Sequence, residues 1–207
     1  MAKVDDYQMS FDISAEKLAN RNLIEVAKRA GAKADEDGKA LELTYYGRPV
    51  RVERDPWSVH ALDEGPEIPL PEQALILHYL ETAEDKPLAN EWITYREVPS
   101  GEFYWSAFVR RAKQPLVGFF GERPQYLLEM APKVGGEPIE GVNADAAVVV
   151  WAFPKVPILF QLWAGDDEFP ADGNVLFDKT VAGFLPTEDI ALVAGLPIYK
   201  IMAMSRG

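Results

Sequence analysis

Apolar residues recur at helical spacing near the start of the chain and then switch to alternation. Leu18, Leu23, Val26 and Ala27 form one stripe, which predicts a helix from Ala15 to about Ala30, with Ser14 as N-cap and Gly31 as its stop. Leu41, Leu43 and Tyr45 alternate with polar neighbours, as do Val50 and Val52, with Gly47 between the two runs. That pattern predicts a β-hairpin over 40–46 and 49–54, ended by Asp55-Pro56-Trp57. The acidic, proline-rich segment 63–71 reads as a loop. Pro71 suits the first turn of a helix through Glu81, with Leu75, Ile76, Tyr79 and Leu80 on its core face.

Residues 92–98 alternate as a short strand. Residues 103–113 read as a helix with Phe103, Ala107 and Phe108 inward and Arg110, Arg111 and Lys113 outward, followed by helical pieces over 116–120 and 124–130. Two continuous apolar runs, 146–153 and 158–163, flank Pro154-Lys155-Val156-Pro157 and predict an antiparallel pair inside a sheet, covered on both faces. A last helix spans about 187–204, where Pro197 should kink it or split it. The sum is a single α+β domain, mainly antiparallel sheet with flanking helices, with the N-terminal helix and hairpin over about 12–56. No repeat or linker calls for a second domain.

Composition narrows the partners. The formal charge is −12, with 48% hydrophobic and 26% charged residues. These are globular proportions, and the acidity argues against nucleic acid and against anionic lipid. A cationic ligand, a divalent cation or a basic partner surface stays compatible. The chain has no cysteine, which excludes disulfides, thiolate nucleophiles and any iron–sulfur cluster held by cysteines of this chain. The N-terminus lacks an apolar signal core, and the longest apolar run is too short to span a membrane, so the expected location is the cytoplasm.

Charge concentrates late in the chain. Between Trp163 and Asp189 stand seven acids (Asp166, Asp167, Glu168, Asp172, Asp178, Glu188 and Asp189) and one base, Lys179. Asp166, Asp167 and Glu168 either coordinate a divalent cation through oxygen or form a solvated turn after a buried strand; they lack EF-hand spacing. Thr187 fits an N-cap, with Glu188 and Asp189 in the first helical turn, where the dipole favours acids. His60 and His78 are not paired by spacing. His78, among Leu75, Leu77, Tyr79 and Leu80, reads as a core or half-buried residue, and no G-x-S-x-G elbow supports a serine nucleophile. Trp92, Phe103, Tyr104, Trp105 and Phe108 either line a pocket or fill the core. Arg96, Arg110 and Arg111 could hold a carboxylate or neutralise the acidic edge.

Several of these stretches together carry a resemblance. They are Leu77-His78-Tyr79-Leu80; Trp92-Ile93-Thr94-Tyr95-Arg96-Glu97 with Gly101 and Tyr104; Gly165-Asp166-Asp167-Glu168-Phe169-Pro170; Leu176-Phe177-Asp178; and Leu185-Pro186-Thr187-Glu188-Asp189. Over about residues 70–190 the chain resembles an uncharacterised family found mainly in anaerobic bacteria and archaea. The resemblance implies an α+β domain without an assigned activity. Some relatives carry an added four-cysteine iron–sulfur module, which implies a context of anaerobic cofactor or one-carbon metabolism. Lacking cysteine, this chain would need a cofactor-bearing or iron–sulfur partner protein.

Two readings follow. In the first, the chain is a binding or accessory domain that meets its ligand or partner through Trp163, Asp166, Asp167, Glu168, Phe169, Asp178, Glu188, Asp189, Arg96 and Tyr104. In the second, it is a metal-dependent enzyme whose carboxylates, Asp166, Asp167 and Glu168 first, hold a divalent cation that activates water.

Overall fold

The computed structural model describes residues 4–206. The predicted first helix is two helices, α1 (Val4–Ala19) and α2 (Leu23–Ala30). The break comes at Asn22, whose side chain accepts from the Ile24 amide and caps α2, while Gly31 closes α2 in the left-handed conformation (φ 65°). Ser14 therefore lies inside α1, buried, instead of capping a helix. The carbonyls left open at the end of α1 are met by Arg54, which donates to Leu18, Ala19 and Arg21 at 3.0, 3.0 and 2.8 Å.

The hairpin forms as expected. Strands β1 (Lys33–Ala34), β2 (Ala40–Tyr45), β3 (Arg48–Glu53) and β4 (Ser58–Ala61) make an antiparallel sheet in that order. Leu41 faces Val52 and Leu43 faces Val50, all buried. Contrary to expectation, the sheet continues past Asp55-Pro56, because Val59 in β4 pairs with Val52 and buries beside it.

Helix α3 (Leu70–Thr82) starts at the predicted proline. Strand β5 (Trp92–Thr94) stops early, because the Glu97 carboxylate accepts from the Thr94 amide and hydroxyl, both at 2.8 Å, and caps a 3₁₀ turn over Tyr95–Glu97. Then α4 (Gly101–Phe108) passes through one π turn (Val109–Lys113) into α5 (Gln114–Phe120). Its buried stripe is Phe108, Ala112, Leu116 and Phe120. That four-residue repeat exceeds the 3.6 of an α-helix, and the wider π turn helps keep it on one face. Phe103, expected inward, falls off this stripe and is 81% exposed.

After α6 (Pro124–Met130), strands β6 (Gly136–Pro138), β7 (Ala146–Phe153), β8 (Val156–Trp163) and β9 (Asp172–Asp178) join β5 in a second antiparallel sheet, order β5-β9-β8-β7-β6. The two apolar runs are β7 and β8, inside the sheet and covered on both faces. Val148, Val150 and Phe160 enter the main core, and Ala147, Val149 and Leu159 a smaller cluster on the other side. Nothing in the sequence marked β9, which opens on Asp172-Gly173-Asn174.

Helix α7 (Thr187–Met204) runs unbroken through Pro197. A proline donates no amide proton to the carbonyl four residues earlier, here Val193. The Tyr46 hydroxyl donates to that carbonyl at 2.6 Å, so the first sheet repairs the defect and pins the helix. At Gly195 a Cβ would stand 2.4 Å from the Arg111 carbonyl oxygen, so a glycine is required for α7 to lie against the π turn. The α+β class is as expected.

Candidate functional site

Helices α1, α3 and the start of α7 enclose a cleft of about 440 Å³. From α1 come Ser10, Ser14 and Lys17, one row at i, i+4 and i+7. From α3 come His78, Glu81 and Thr82, again on one face. From α7 come Glu188 and Asp189. Ser100 and Tyr104 complete the rim.

These side chains form two hydrogen-bonded sets. In the first, Ser10 Oγ lies 2.8 Å from His78 Nε2, and His78 Nδ1 lies 2.7 Å from Asp189 Oδ2. A carboxylate can only accept, so Nδ1 carries the proton; in the neutral ring Nε2 then accepts from the Ser10 hydroxyl. The hydrogen bond to Asp189 raises the His78 pKa above its ordinary value; partial burial lowers it, and the charges of Asp189 and Glu81 add to the rise. In the second set, Glu81 accepts from Ser14 Oγ and Lys17 Nζ, both at 2.7 Å. Burial raises the Glu81 pKa, but Lys17 and Ser14 outweigh it and the net shift is downward, so Glu81 is an anion beside His78.

The start of α7 is held from several sides. Its N-cap is Pro186, which offers no side-chain acceptor. Thr187, expected to cap, instead donates its hydroxyl to the Pro99 carbonyl at 2.6 Å, and the Tyr95 hydroxyl donates to the Thr187 carbonyl at 2.9 Å. Glu188 and Asp189 do occupy the first turn as predicted, but each has a further partner: Asp189 takes His78, and Glu188 hydrogen-bonds Tyr104, which raises the Tyr104 pKa. The first-turn residues Thr187, Glu188 and Asp189 line the cleft at the positive end of an 18-residue helix, and Pro186 gives their amides no side-chain cap.

Of the residues proposed from sequence, the cleft gathers Tyr104, Glu188 and Asp189. The others lie elsewhere. Asp166 accepts from the Glu168 and Phe169 amides at 2.8 and 2.7 Å, closing its own turn, while Asp167 and Glu168 point to solvent and Phe169 is 67% exposed. Trp163 pairs with Asp172 at the end of β8. Arg96 lies over the Trp105 ring at 4.4 Å and reaches Glu102 at 3.5 Å. Asp178 is buried and accepts from the amides of Ala89, Asn90 and Thr180 and from the Thr180 hydroxyl. Among the described residues no three His, Asp or Glu side chains converge as a metal-binding group.

Asp178 is therefore a cap for the 89–90 loop. Asp178→Ala strands part-buried donors and should cost about 1–3 kcal/mol, read as a lowered urea midpoint. Burial raises its pKa, but the bonds from Thr180, Ala89 and Asn90 outweigh that and the net shift is downward. Its contribution is thus present above the ordinary carboxylate pKa and disappears as pH falls through the depressed value. Acid titration of the wild-type and alanine proteins should show their stabilities converging.

The sequence does not single out Ser10, and it marks His78 as core or half-buried, which it is, without revealing its partners Ser10 and Asp189. Ser10 and His78 are 68 positions apart, and His78 and Asp189 are 111 apart. The one local trace is the polar row Ser10, Ser14 and Lys17, which is legible only once α1 is known to start before Ser14.

The family of domain of unknown function DUF3786 matches residues 22–200. The chain belongs to this family. The DUF3786 match includes His78, Glu81, Glu188 and Asp189, while Ser10, Ser14 and Lys17 on α1 precede it. No curated protein and no solved structure matches the chain. No helix among the described residues is long and apolar enough to cross a membrane.

Proposed function

We propose that the cleft is the active site of a small-molecule ester hydrolase, with Ser10 as nucleophile, His78 as general base and acid, and Asp189 as its orienting anion. The observation that carries this reading is the continuous chain Ser10–His78–Asp189 open to a cleft of about 440 Å³, the order of roles that acyl transfer needs. Ser10 Oγ attacks the ester carbonyl carbon and its proton passes to His78 Nε2. The carbon–oxygen bond to the alcohol breaks, and His78 returns the proton to the departing oxygen. Water then attacks the acyl-serine, gives its proton to His78, and Ser10 is regenerated as the acid leaves. The uncapped first-turn amides of α7 are suited to the oxyanion that forms on the way. Ile13 and Pro186 give the cleft an apolar side for the acyl group.

A fluorophosphonate reagent tests this reading. It should label the folded protein at Ser10, located by peptide mass spectrometry, and labelling should be blocked in His78→Ala. A folded protein that stays unlabelled, or is labelled at another serine, overturns the assignment.

One observation favours a second, separate role for the acidic turn as a surface for a basic partner: Phe169 stands exposed at its tip beside Asp167 and Glu168. Such binding weakens with salt. Changing Asp166, Asp167 and Glu168 to Asn, Asn and Gln should abolish capture of a basic partner protein from native extract; unchanged capture sinks the idea.

A further inference from the structure

The far end of α7 from the His78 cleft borders a second cavity, of about 290 Å³. Eighteen residues at 1.5 Å each put the two helix ends about 27 Å apart. The cavity is walled by the Tyr45 and Tyr46 rings and Met204, and three cations line it: Arg48, Lys133 and Lys200. Among the described residues no acid lines it, although Asp63 and Glu72 pair with Arg48 and Lys200 from behind the wall.

Two of the cations are fixed in place. Arg48 donates to Asp63 at 2.9 and 2.6 Å and to the Pro66 carbonyl at 2.9 Å. Lys200 donates to Glu72 at 2.7 Å and lies 5.8 Å from the centroids of both tyrosine rings. These contacts orient the two heads and take up much of their charge. The partial negative charge at the end of α7 offsets a further part. Lys133 is surplus: it forms no ion pair and no hydrogen bond among the described residues. In the same wall the buried Tyr45 hydroxyl makes no close hydrogen bond and faces the Glu72 carboxylate that holds Lys200.

We infer that this cavity binds a small organic carboxylate with an apolar or monoaromatic body. The carboxylate lies at Lys133 between the fixed heads of Arg48 and Lys200, and the body lies against the tyrosine rings and Met204. The volume is at the lower edge of ligand cavities, roughly 300–1,000 Å³, which suits one ring or a short chain and not a nucleotide. Aromatic and thioether walls do not suit inorganic phosphate.

The test is titration of the full chain with 3-phenylpropanoate, followed by calorimetry and by the tyrosine ring resonances, with 3-phenylpropanamide and inorganic phosphate as comparators. The carboxylate should bind with Kd of about a millimolar or below, shift the Tyr45 and Tyr46 resonances, and weaken with salt. The amide should bind at least about tenfold more weakly, one lost charge contact being about 1.4 kcal/mol. Phosphate should not compete. Lys133 is exposed, so Lys133→Glu should leave thermal unfolding unchanged while weakening the carboxylate at least about tenfold. Equal affinity for the amide, competition by phosphate, silent tyrosine resonances or an unaffected Lys133→Glu protein each overturns the inference.

Discussion

Ser10→Ala and His78→Ala should each lower kcat/KM for a p-nitrophenyl ester by about a thousandfold or more, and the double variant should fall no further than the worse single one. Non-additivity is the informative part. Two residues that only line a pocket would lose activity additively, whereas a nucleophile and its base fail as one unit. Neither change should unfold the protein, because Ser10 and His78 are only part-buried. The wild-type rate follows the neutral His78 ring, so it should rise with pH through a pKa above the ordinary value of about 6.5. Asp189→Asn removes the charge, and with it the charge-assisted hydrogen bond, that raises this pKa. The acid limb should therefore move to lower pH while the plateau drops. A limb that stays in place, or activity that survives Ser10→Ala, would count against the assignment. The same shift acts on stability with the opposite sense. A raised folded pKa contributes stability that is fully present below the unfolded value of about 6.5 and is lost as pH rises through the folded pKa. Catalysis and the His78–Asp189 ion pair thus want opposite protonation states.

Such a site is hard to see in the chain because three distant segments build it. The α+β class and most of the long elements were legible, because apolar periodicity reports which face is buried: Leu41, Leu43, Val50 and Val52 in the hairpin, and the continuous runs of β7 and β8. Local polar chemistry decided what periodicity could not. Asn22 divided one predicted helix into two, the Thr94–Glu97 box cut β5 short, and the Tyr46 hydroxyl let α7 continue through Pro197. Of the seven acids after Trp163, Glu188 and Asp189 line this cleft and the other five lie elsewhere. Asp166 and Asp178 spend their oxygens on nearby backbone amides, an outcome that a count of charges does not distinguish from convergence. Asp189 is different only because α3 brings a histidine to it.

That three-helix arrangement depends on a joint between the two sheets, and the joint should be the molecule's most fragile point. At the tip of the β2–β3 hairpin, Tyr46 donates its amide to Ala152 at 3.2 Å, and Gly135, just ahead of β6, accepts from Trp151 at 3.1 Å. Between them Gly47 and Gly135 lie backbone to backbone. A Cβ on Gly135 would stand 2.3 Å from the Gly47 nitrogen and 2.5 Å from the Tyr46 carbonyl carbon, with φ at 69°. Neither contact can be relieved by turning a side chain. Gly135→Ala should cost about 1 kcal/mol for the left-handed backbone and a further ~1–3 kcal/mol for forcing the sheets apart. With a urea m-value of about 2 kcal/mol/M, the midpoint should fall by roughly 1–2 M. Gly141 supplies the control. It has φ of 76° but nothing within 4 Å of its Cβ, so Gly141→Ala should cost the backbone share alone, about 1 kcal/mol. The difference between the two midpoints measures the contact itself, and equal midpoints would mean the sheets do not press together at this point. Because Tyr46 also holds Val193 in the middle of α7, separating the sheets should loosen the helix that carries Asp189. A Gly135→Ala protein that is still folded should then lose esterase rate together with stability, whereas Gly141→Ala should lose only stability.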